Sequence, residues 1–311
     1  MTISVLHTAD GWWVQTGAGA ARVETSAATT GELLRDRAAV QAAHAATTTV
    51  PLESLTLLSP VTKPCRVVAQ MTNYVSHVRD AGMDPDSTPL TFFRKSSASI
   101  SGPYDSIVKP SHVRLLDYEV EIGLVVGRDI AAGTTISGDL SDYIAGLVVT
   151  NDVSARDIQL PQTQFYEAKS YPTFTPVGPA LVLLDADELK RFGELRLRLR
   201  VNGEERQNAV VAGDMLYRPL QALTSLCRFQ DLSAGDLILT GTPVGTALTA
   251  PPKPVEMISR LLPPAVKWKI YFKGQARNPN YLKDGDRIEA RVATDDGTID
   301  LGCQRMTVRY T

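Results

Sequence analysis

Beyond residue 62, apolar positions recur mostly with a period of two, in short runs bounded by Gly, Pro, Asp and Asn. The runs are CRVVAQ (65–70), DYEVEIGLVV (117–126), YIAGLVVT (143–150), GPALVLL (178–184), LRLRLRVNG (195–203), DLILTGT (236–242), DRIEARV (286–292) and QRMTVRY (304–310). Period-two alternation is the signature of strands, whose successive side chains point to opposite faces. Many short strands between turn signals predict an α+β, β-dominated fold rather than repeated βαβ units. Segments with a period of 3.6 are scarce, and MLYRPLQALTSLCRF (215–229) is the best helix candidate. A hairpin around Asp296-Gly297 closes the pattern. Before residue 62 the texture differs. Residues 2–15 predict a hairpin turning at Asp10-Gly11, and GELLRDRAAVQAAHAA (31–46) predicts a helix capped by Thr29 or Thr30. The chain therefore reads as a small N-terminal α/β domain, residues 1–62, and a larger domain, residues 63–311.

One segment breaks the rhythm. Residues 249–286 carry five prolines in their first 16 positions, and seven Lys/Arg against Glu256 alone between Lys253 and Lys283. The plain reading is a surface insertion with a solvated basic face. The sharper one is a lid or subunit contact near an anionic ligand.

Composition narrows the function. The 311 residues are 43% hydrophobic and 21% charged, as in ordinary globular proteins. A net charge of −2 provides no basic field, which argues against nucleic acid as a partner. Cys65, Cys227 and Cys303 are widely spaced, with no CxxC, so neither a disulfide framework nor a zinc cluster is indicated. The start, MTISVLHTADGWWVQ, does not read as a secretion leader, and no apolar run approaches the ~18 residues of a membrane span. A cytoplasmic setting without membrane contact is the default expectation.

The candidate chemistry lies in LDYEVEIGLVV (116–126). Alternation puts Asp117, Glu119 and Glu121 on one face and Tyr118, Val120, Ile122, Leu124 and Val126 on the other. Taken alone, this is an ordinary amphipathic strand with a wet polar face. However, that face turns apolar beyond Glu121, and a second apolar strand ends abruptly in Asn151-Asp152. Asp152 is thus placed to meet the other carboxylates. Crowded carboxylates do not all ionise without a cation. With no His or Cys nearby, the set selects a hard ion: Mg²⁺ first, with Mn²⁺ or Ca²⁺ as alternatives. A second candidate is QMTNYVSHVRDAG (70–82). There His77 and Asp80, three apart, share a helix face, so that the carboxylate can orient an imidazole base. A solvated surface histidine is the plain alternative. GxSxG, HExxH and P-loop motifs are absent.

In order and spacing, NYVSHVRDAG, FFRKSSASISGP, LDYEVEIGLVVGRD, AGLVVTNDVSARDIQ, AKSYPTFTPVGP, GDLILTGTPVGTA and the GDRIEARV hairpin resemble the fumarylacetoacetate hydrolase superfamily over about residues 63–311. The resemblance implies a mixed β-roll around a barrel-like sheet, usually homodimeric, with Glu119, Glu121 and Asp152 as metal ligands. Asp117 would then be a supporting or surface residue. It further implies substrate contacts at Arg156, Gln159 and Lys169 and at the Gly241-Thr242-Pro243 turn, a catalytic pair at His77 and its carboxylate partner, and a lid over residues 71–95. The partner here is Asp80, one methylene shorter than the family's Glu. The implied activity is metal-dependent hydrolysis of a C–C bond in a 2-oxo acid with a β-carbonyl, of acylpyruvate or fumarylpyruvate type, as in aromatic degradation. In that reaction His77 activates water, Lys169 and Arg156 offset negative charge, and the cation stabilises an enolate. Decarboxylation of oxaloacetate-like acids and isomerisation or tautomerisation of hydroxydienoates are alternatives on the same site. A catalytically silent metal-binding scaffold is the alternative from another class.

Overall fold

The computed structural model describes residues 2–249 and 263–311. The alternating runs become two sheets. One has nine strands, in the spatial order Gly19–Arg22, Gly11–Thr16, Ile3–Thr8, Leu181–Leu183, Ile144–Asn151, Val120–Val126, Leu237–Leu239, Val67–Met71 and Thr91–Lys95. All neighbours are antiparallel except Leu237–Leu239 beside Val67–Met71. The other has five strands, ordered Glu204–Val210, Leu195–Val201, Arg287–Thr294, Asp300–Tyr310 and Ile107–Lys109. The fold is β-dominated α+β, as the patterning predicts. Neither sheet closes into a barrel.

Burial follows the alternation. In LRLRLRV the three leucines and Val201 are buried, while the arginines lie outward. They pack with Ile288 and Val292 against Ile122, Leu124 and Ile238 from one face of the nine-stranded sheet. The other face buries Val5, Val14, Val125, Val148 and Leu237 with Leu33, Leu34 and Val40 from two short helices, Thr30–Arg35 and Arg37–His44. Strands 120–126 and 144–151 are covered on both sides, so every residue in them is buried.

Residues 1–62 supply three strands to the edge of this sheet, joined to the rest by pairing of Ile3–Val5 with Leu181–Leu183. The N-terminal hairpin forms with Gly11 opposite Thr8, so its turn is Ala9-Asp10, one residue earlier than expected. The helix expected over 31–46 is broken at Asp36. Thr29 starts the first half with a capping box to Glu32, and the Asp36 side chain starts the second by accepting from Ala39 N. A residue that caps a helix leaves the helical conformation, so the continuous propensity of this stretch does not give one helix. The second helix candidate contracts to Pro219–Cys227, with proline at its first turn. In the 249–286 segment, residues 250–262 lie outside the described residues, and 264–275 form a helix.

Close approach of the central strands depends on Gly146. A Cβ there would lie 2.2 Å from the Val182 carbonyl oxygen. Gly146→Ala is expected to lower the unfolding free energy by at least ~2 kcal/mol in denaturant titration. Gly17→Ala, with open space around its Cβ, should stay within about 0.5 kcal/mol. Equal effects of the two would contradict this packing.

Candidate active site

Register brings the carboxylates together. Strands 120–126 and 144–151 run antiparallel, pairing Glu121 with Thr150 and Val120 with Asn151. The next step places Asp152 opposite Glu119, whose carbonyl accepts the Asp152 N–H at 2.8 Å. The Asn151 side-chain oxygen accepts the Glu119 N–H at 2.9 Å, which fixes the backbone where the strand begins. One ligand atom each from Glu119, Glu121 and Asp152 then falls within 4.8 Å of the others, and all three residues are buried.

The wet polar face, the plain alternative for this strand, is not what forms: Asp117 is fully buried as well, so of its two expected placements, supporting or surface, it takes the supporting one. Its carboxylate accepts from Arg156 Nε at 2.8 Å and from the Ala247 and Leu248 N–H groups at 2.8 and 3.1 Å. It therefore anchors the guanidinium, which reaches Gln159 Oε1 at 2.8 Å through Nη1 and Glu119 through Nη2. Lys169 Nζ lies 2.6 Å from both Glu119 Oε2 and Asp152 Oδ2. Lys95 pairs with the other Asp152 oxygen and with the Phe174 carbonyl. Sequence reasoning did not single out Lys95. Its signal is a charged residue ending the strand TFFRK, the same kind of signal that identified Asp152.

The electrostatics separate the two glutamates. Burial opposes ionisation of Glu119, but Arg156 and Lys169 outweigh it and hold the group well below the usual carboxylate range. Burial, Asp152 and Glu119 together push Glu121 well above that range. Burial also opposes charge on Lys169, and Asp152 and Glu119 overcome it. For Lys95 burial prevails over Asp152, so its value is lowered. Asp117, Glu119, Glu121 and Asp152 thus face three buried cations, Lys95, Arg156 and Lys169; the balance closes while Glu121 keeps its proton, and ionising Glu121 leaves one negative charge uncompensated.

This donor set fits a divalent cation. All the donors are oxygens, and the Glu121 carboxylate has a single described hydrogen-bond partner, the Gly241 N–H at 2.7 Å. A dication would turn the residual −1 into +1, the charge that an anionic substrate cancels.

These groups open on a cavity of about 390 Å³. Glu119, Glu121, Asp152, Arg156, Gln159, Lys169, Thr242, His77 and Asp80 all line it, so these nine residues meet in one place, whereas Asp117 lies behind Arg156 and outside the lining. The Thr242 hydroxyl is already used, donating to the Val120 carbonyl and accepting from Gln207 Nε2. His77 lies on the helix Val75–Asp80. Its Nδ1 is buried without a partner. No hydrogen bond joins it to Asp80 among the described residues, so the helical spacing alone does not make the pair. Burial lowers the His77 pKa, with Glu119 opposing, which favours the neutral imidazole. Gln70, at the end of the buried strand 67–71, also lines the cavity. It is 2% exposed, and neither amide atom has a partner.

Glu121→Gln removes one of the crowded carboxylates. It is expected to leave the metal-free protein at least as stable as wild type, and to weaken a Mg²⁺-induced rise in melting temperature at least tenfold in Mg²⁺ concentration. A wild-type response to Mg²⁺ in this variant would remove Glu121 from the donor set.

Residues 66–309 match the family model described as fumarylacetoacetate hydrolase, C-terminal. The mitochondrial oxaloacetate tautomerase of Rattus norvegicus is 36% identical over 245 residues, covering 78% of this chain and 68% of that protein. A mitochondrial oxaloacetate tautomerase of Homo sapiens is 35% identical over 246 residues, with the same coverage. Among solved structures, a "probable 2-hydroxyhepta-2,4-diene-1,7-dioate isomerase" from Mycobacterium abscessus superposes with a TM-score of 0.74 at 29% identity, covering 100% of this chain and 99% of its own. A fumarylacetoacetate hydrolase from Exiguobacterium antarcticum superposes with a TM-score of 0.69 at 25% identity, covering both chains completely.

Proposed function

Because the chain belongs to the fumarylacetoacetate hydrolase family, we propose that it is a divalent-metal-dependent enzyme moving a proton between carbon and oxygen of a 2-oxo acid, a keto–enol tautomerase or isomerase. The observation that carries this reading is His77. Its imidazole lines the cavity with Nδ1 buried and unpartnered, is not hydrogen-bonded to Asp80, and is held toward the neutral form by burial. Hydrolysis needs an oriented base to activate water, whereas tautomerisation needs only a group that takes and returns a proton. The relatives named as oxaloacetate tautomerases and as a diene-dioate isomerase fit the simpler demand.

Glu119, Glu121 and Asp152 would hold the cation, preferentially Mg²⁺. Its contribution is Lewis acidity toward the oxygens of a bound 2-oxo acid. The chain's own groups do the rest. The His77 imidazole accepts the proton from the carbon beside the carbonyl and delivers it to the carbonyl oxygen, so that a C–H bond is exchanged for the O–H of the enol, or runs the same transfer in reverse. Lys169 and Arg156, held rigidly by Glu119, Asp152 and Asp117, offset negative charge that develops on the substrate. Gln159 and Asp117 position the guanidinium. Burial of the whole cluster strengthens each interaction by excluding water. Assembly as a homodimer and a reducing, cytoplasmic setting belong to the same proposal. In support of the latter, Cys65, Cys227 and Cys303 are all free, and no described helix is long and apolar enough to cross a membrane.

The test follows enol absorbance of 2-oxo acids with Mg²⁺ and then with excess chelator, together with product analysis for C–C cleavage. Chelator-sensitive acceleration without cleavage products is expected. His77→Ala should lower kcat by about 10²–10⁴, and Asp80→Asn by less than about tenfold, since no hydrogen bond joins the pair. Rapid cleavage of acylpyruvates, with both variants equally impaired, would favour the hydrolase instead.

A further inference from the structure

The His77 imidazole has no anchor of its own among the described residues: Nδ1 is buried without a partner, and the ring makes no hydrogen bond or ion pair there. Its place is therefore the place of its helix, Val75–Asp80. A helix of six residues does not persist alone. Tyr74, the residue before it, gives it no side-chain cap. Val78 anchors it on the apolar side and is fully buried.

The polar anchor comes from a residue far along the chain. The first turn of a helix has N–H groups without intrahelical acceptors. The Asp214 carbonyl accepts from Val75 N at 2.7 Å, and its carboxylate accepts from Ser76 N at 2.7 Å and from Ser76 Oγ at 2.6 Å, across 138 positions. One residue thus caps the helix with both its backbone and its side chain. Beside it, Tyr74 and Met215 form a bridge, and Leu216 N donates to the Asn73 carbonyl at 2.9 Å. The Tyr217 hydroxyl donates to the Thr88 carbonyl at 2.6 Å, so residues 214–217 grip the segment 73–88 at both ends. Ser76 Oγ in turn accepts from Val244 N at 3.3 Å, which ties the helix start to the turn whose Gly241 N–H binds Glu121.

The two anchors do different things. Apolar packing is non-directional, so Val78 fixes how deep the helix sits. Hydrogen bonds are directional, so the three to Asp214 fix how far the helix is turned, and with it where His77 points. Asp214 itself is not among the residues lining the cavity. We infer that Asp214 is a positioning residue for His77, holding the imidazole in the cavity by capping its helix from a distant segment. This rests on the proton-transfer reading above and adds to it the residue that aims the proton carrier.

The test uses the full chain with Mg²⁺ and oxaloacetate, followed by enol absorbance. Asp214→Ala should lower kcat about ten- to a hundredfold, as a displacement of a reacting group by about 1 Å does, with KM changed less than about threefold. In a His77→Ala background the same substitution should change the residual rate by less than about twofold, because its effect passes through the imidazole. Asp214→Asn, whose amide keeps an acceptor for Ser76 N and can donate to Ser76 Oγ, should recover most of the loss. The Mg²⁺-induced rise in melting temperature should stay within about twofold in Mg²⁺ concentration, since Asp214 bonds to none of the clustered carboxylates. A readout free of turnover is the carbethoxylation of His77 by diethyl pyrocarbonate, followed by mass spectrometry against the exposed His112 in the same sample. Asp214→Ala should raise that ratio at least about threefold by loosening the helix. Equal losses with and without the His77 side chain, a lost Mg²⁺ response, or no change in rate and reactivity would overturn the assignment and leave Asp214 a support of the fold. If no 2-oxo acid turns over, the proton-transfer reading falls and His77 reactivity alone decides: raised in Asp214→Ala it upholds the positioning role, unchanged it overturns it. Should Asp214→Ala fail to fold, Ser76→Ala, which removes one of the three bonds and the link to Val244, carries the same readouts with smaller effects of the same sign.

Discussion

The structure depends on one charge balance. Four carboxylates and three cations are buried together at the ends of two central strands. An isolated charge in such a place costs many kcal/mol, so each survives only through its partners. Asp117 illustrates the constraint: it has no route to the cation site, yet without it Arg156 would have only Glu119 for a counter-charge. The cluster is therefore a network, in which each residue is held by those whose charge it offsets. Its incomplete neutrality is what makes the site receptive to a cation and an anionic ligand.

The fold supplies the place for that network. Strands 120–126 and 144–151 are buried on both faces, so apolar packing specifies their register, and a slip by one residue would turn the charged side chains into the hydrophobic layers. Register in turn sets Asp152 opposite Glu119. The polar frame continues in neutral groups. Gln207 binds the Val120 N–H and Thr242, and Asn73 donates to the Thr240 and Tyr217 carbonyls, so the Gly241-Thr242-Pro243 turn is tied to both neighbouring strands. A site built on strand ends and braced this way is pre-organised before any ligand arrives.

Against this rigid floor, the groups that shape the outer cavity come from less regular segments. Met83 follows a short helix, Leu160 and Phe165 lie around the loop after Arg156–Gln159, and Tyr271 comes from the helix 264–275. The division is chemical as well as structural. The floor binds charge, while the outer wall offers hydrocarbon and one acidic side chain, Asp80.

By itself, the sequence determined the strands and the acidic floor. Period-two alternation in runs such as LRLRLRV is a local property, and so is the abrupt end of YIAGLVVT at Asn151-Asp152, which signalled a carboxylate at a strand terminus. Only the tertiary structure decided the rest. The helix over 31–46 broke because Asp36 caps better than it propagates. Asp117 went from an apparently solvated face to full burial because the sheet is covered on both sides. Lys95 and Gln70 joined the site from strands distant in sequence, and His77 and Asp80 both entered it without a hydrogen bond between them. The physical reason is common to these cases. Alternation and spacing report which way a side chain points from its own backbone, whereas burial, charge pairing and the lining of a cavity depend on what another segment places against it.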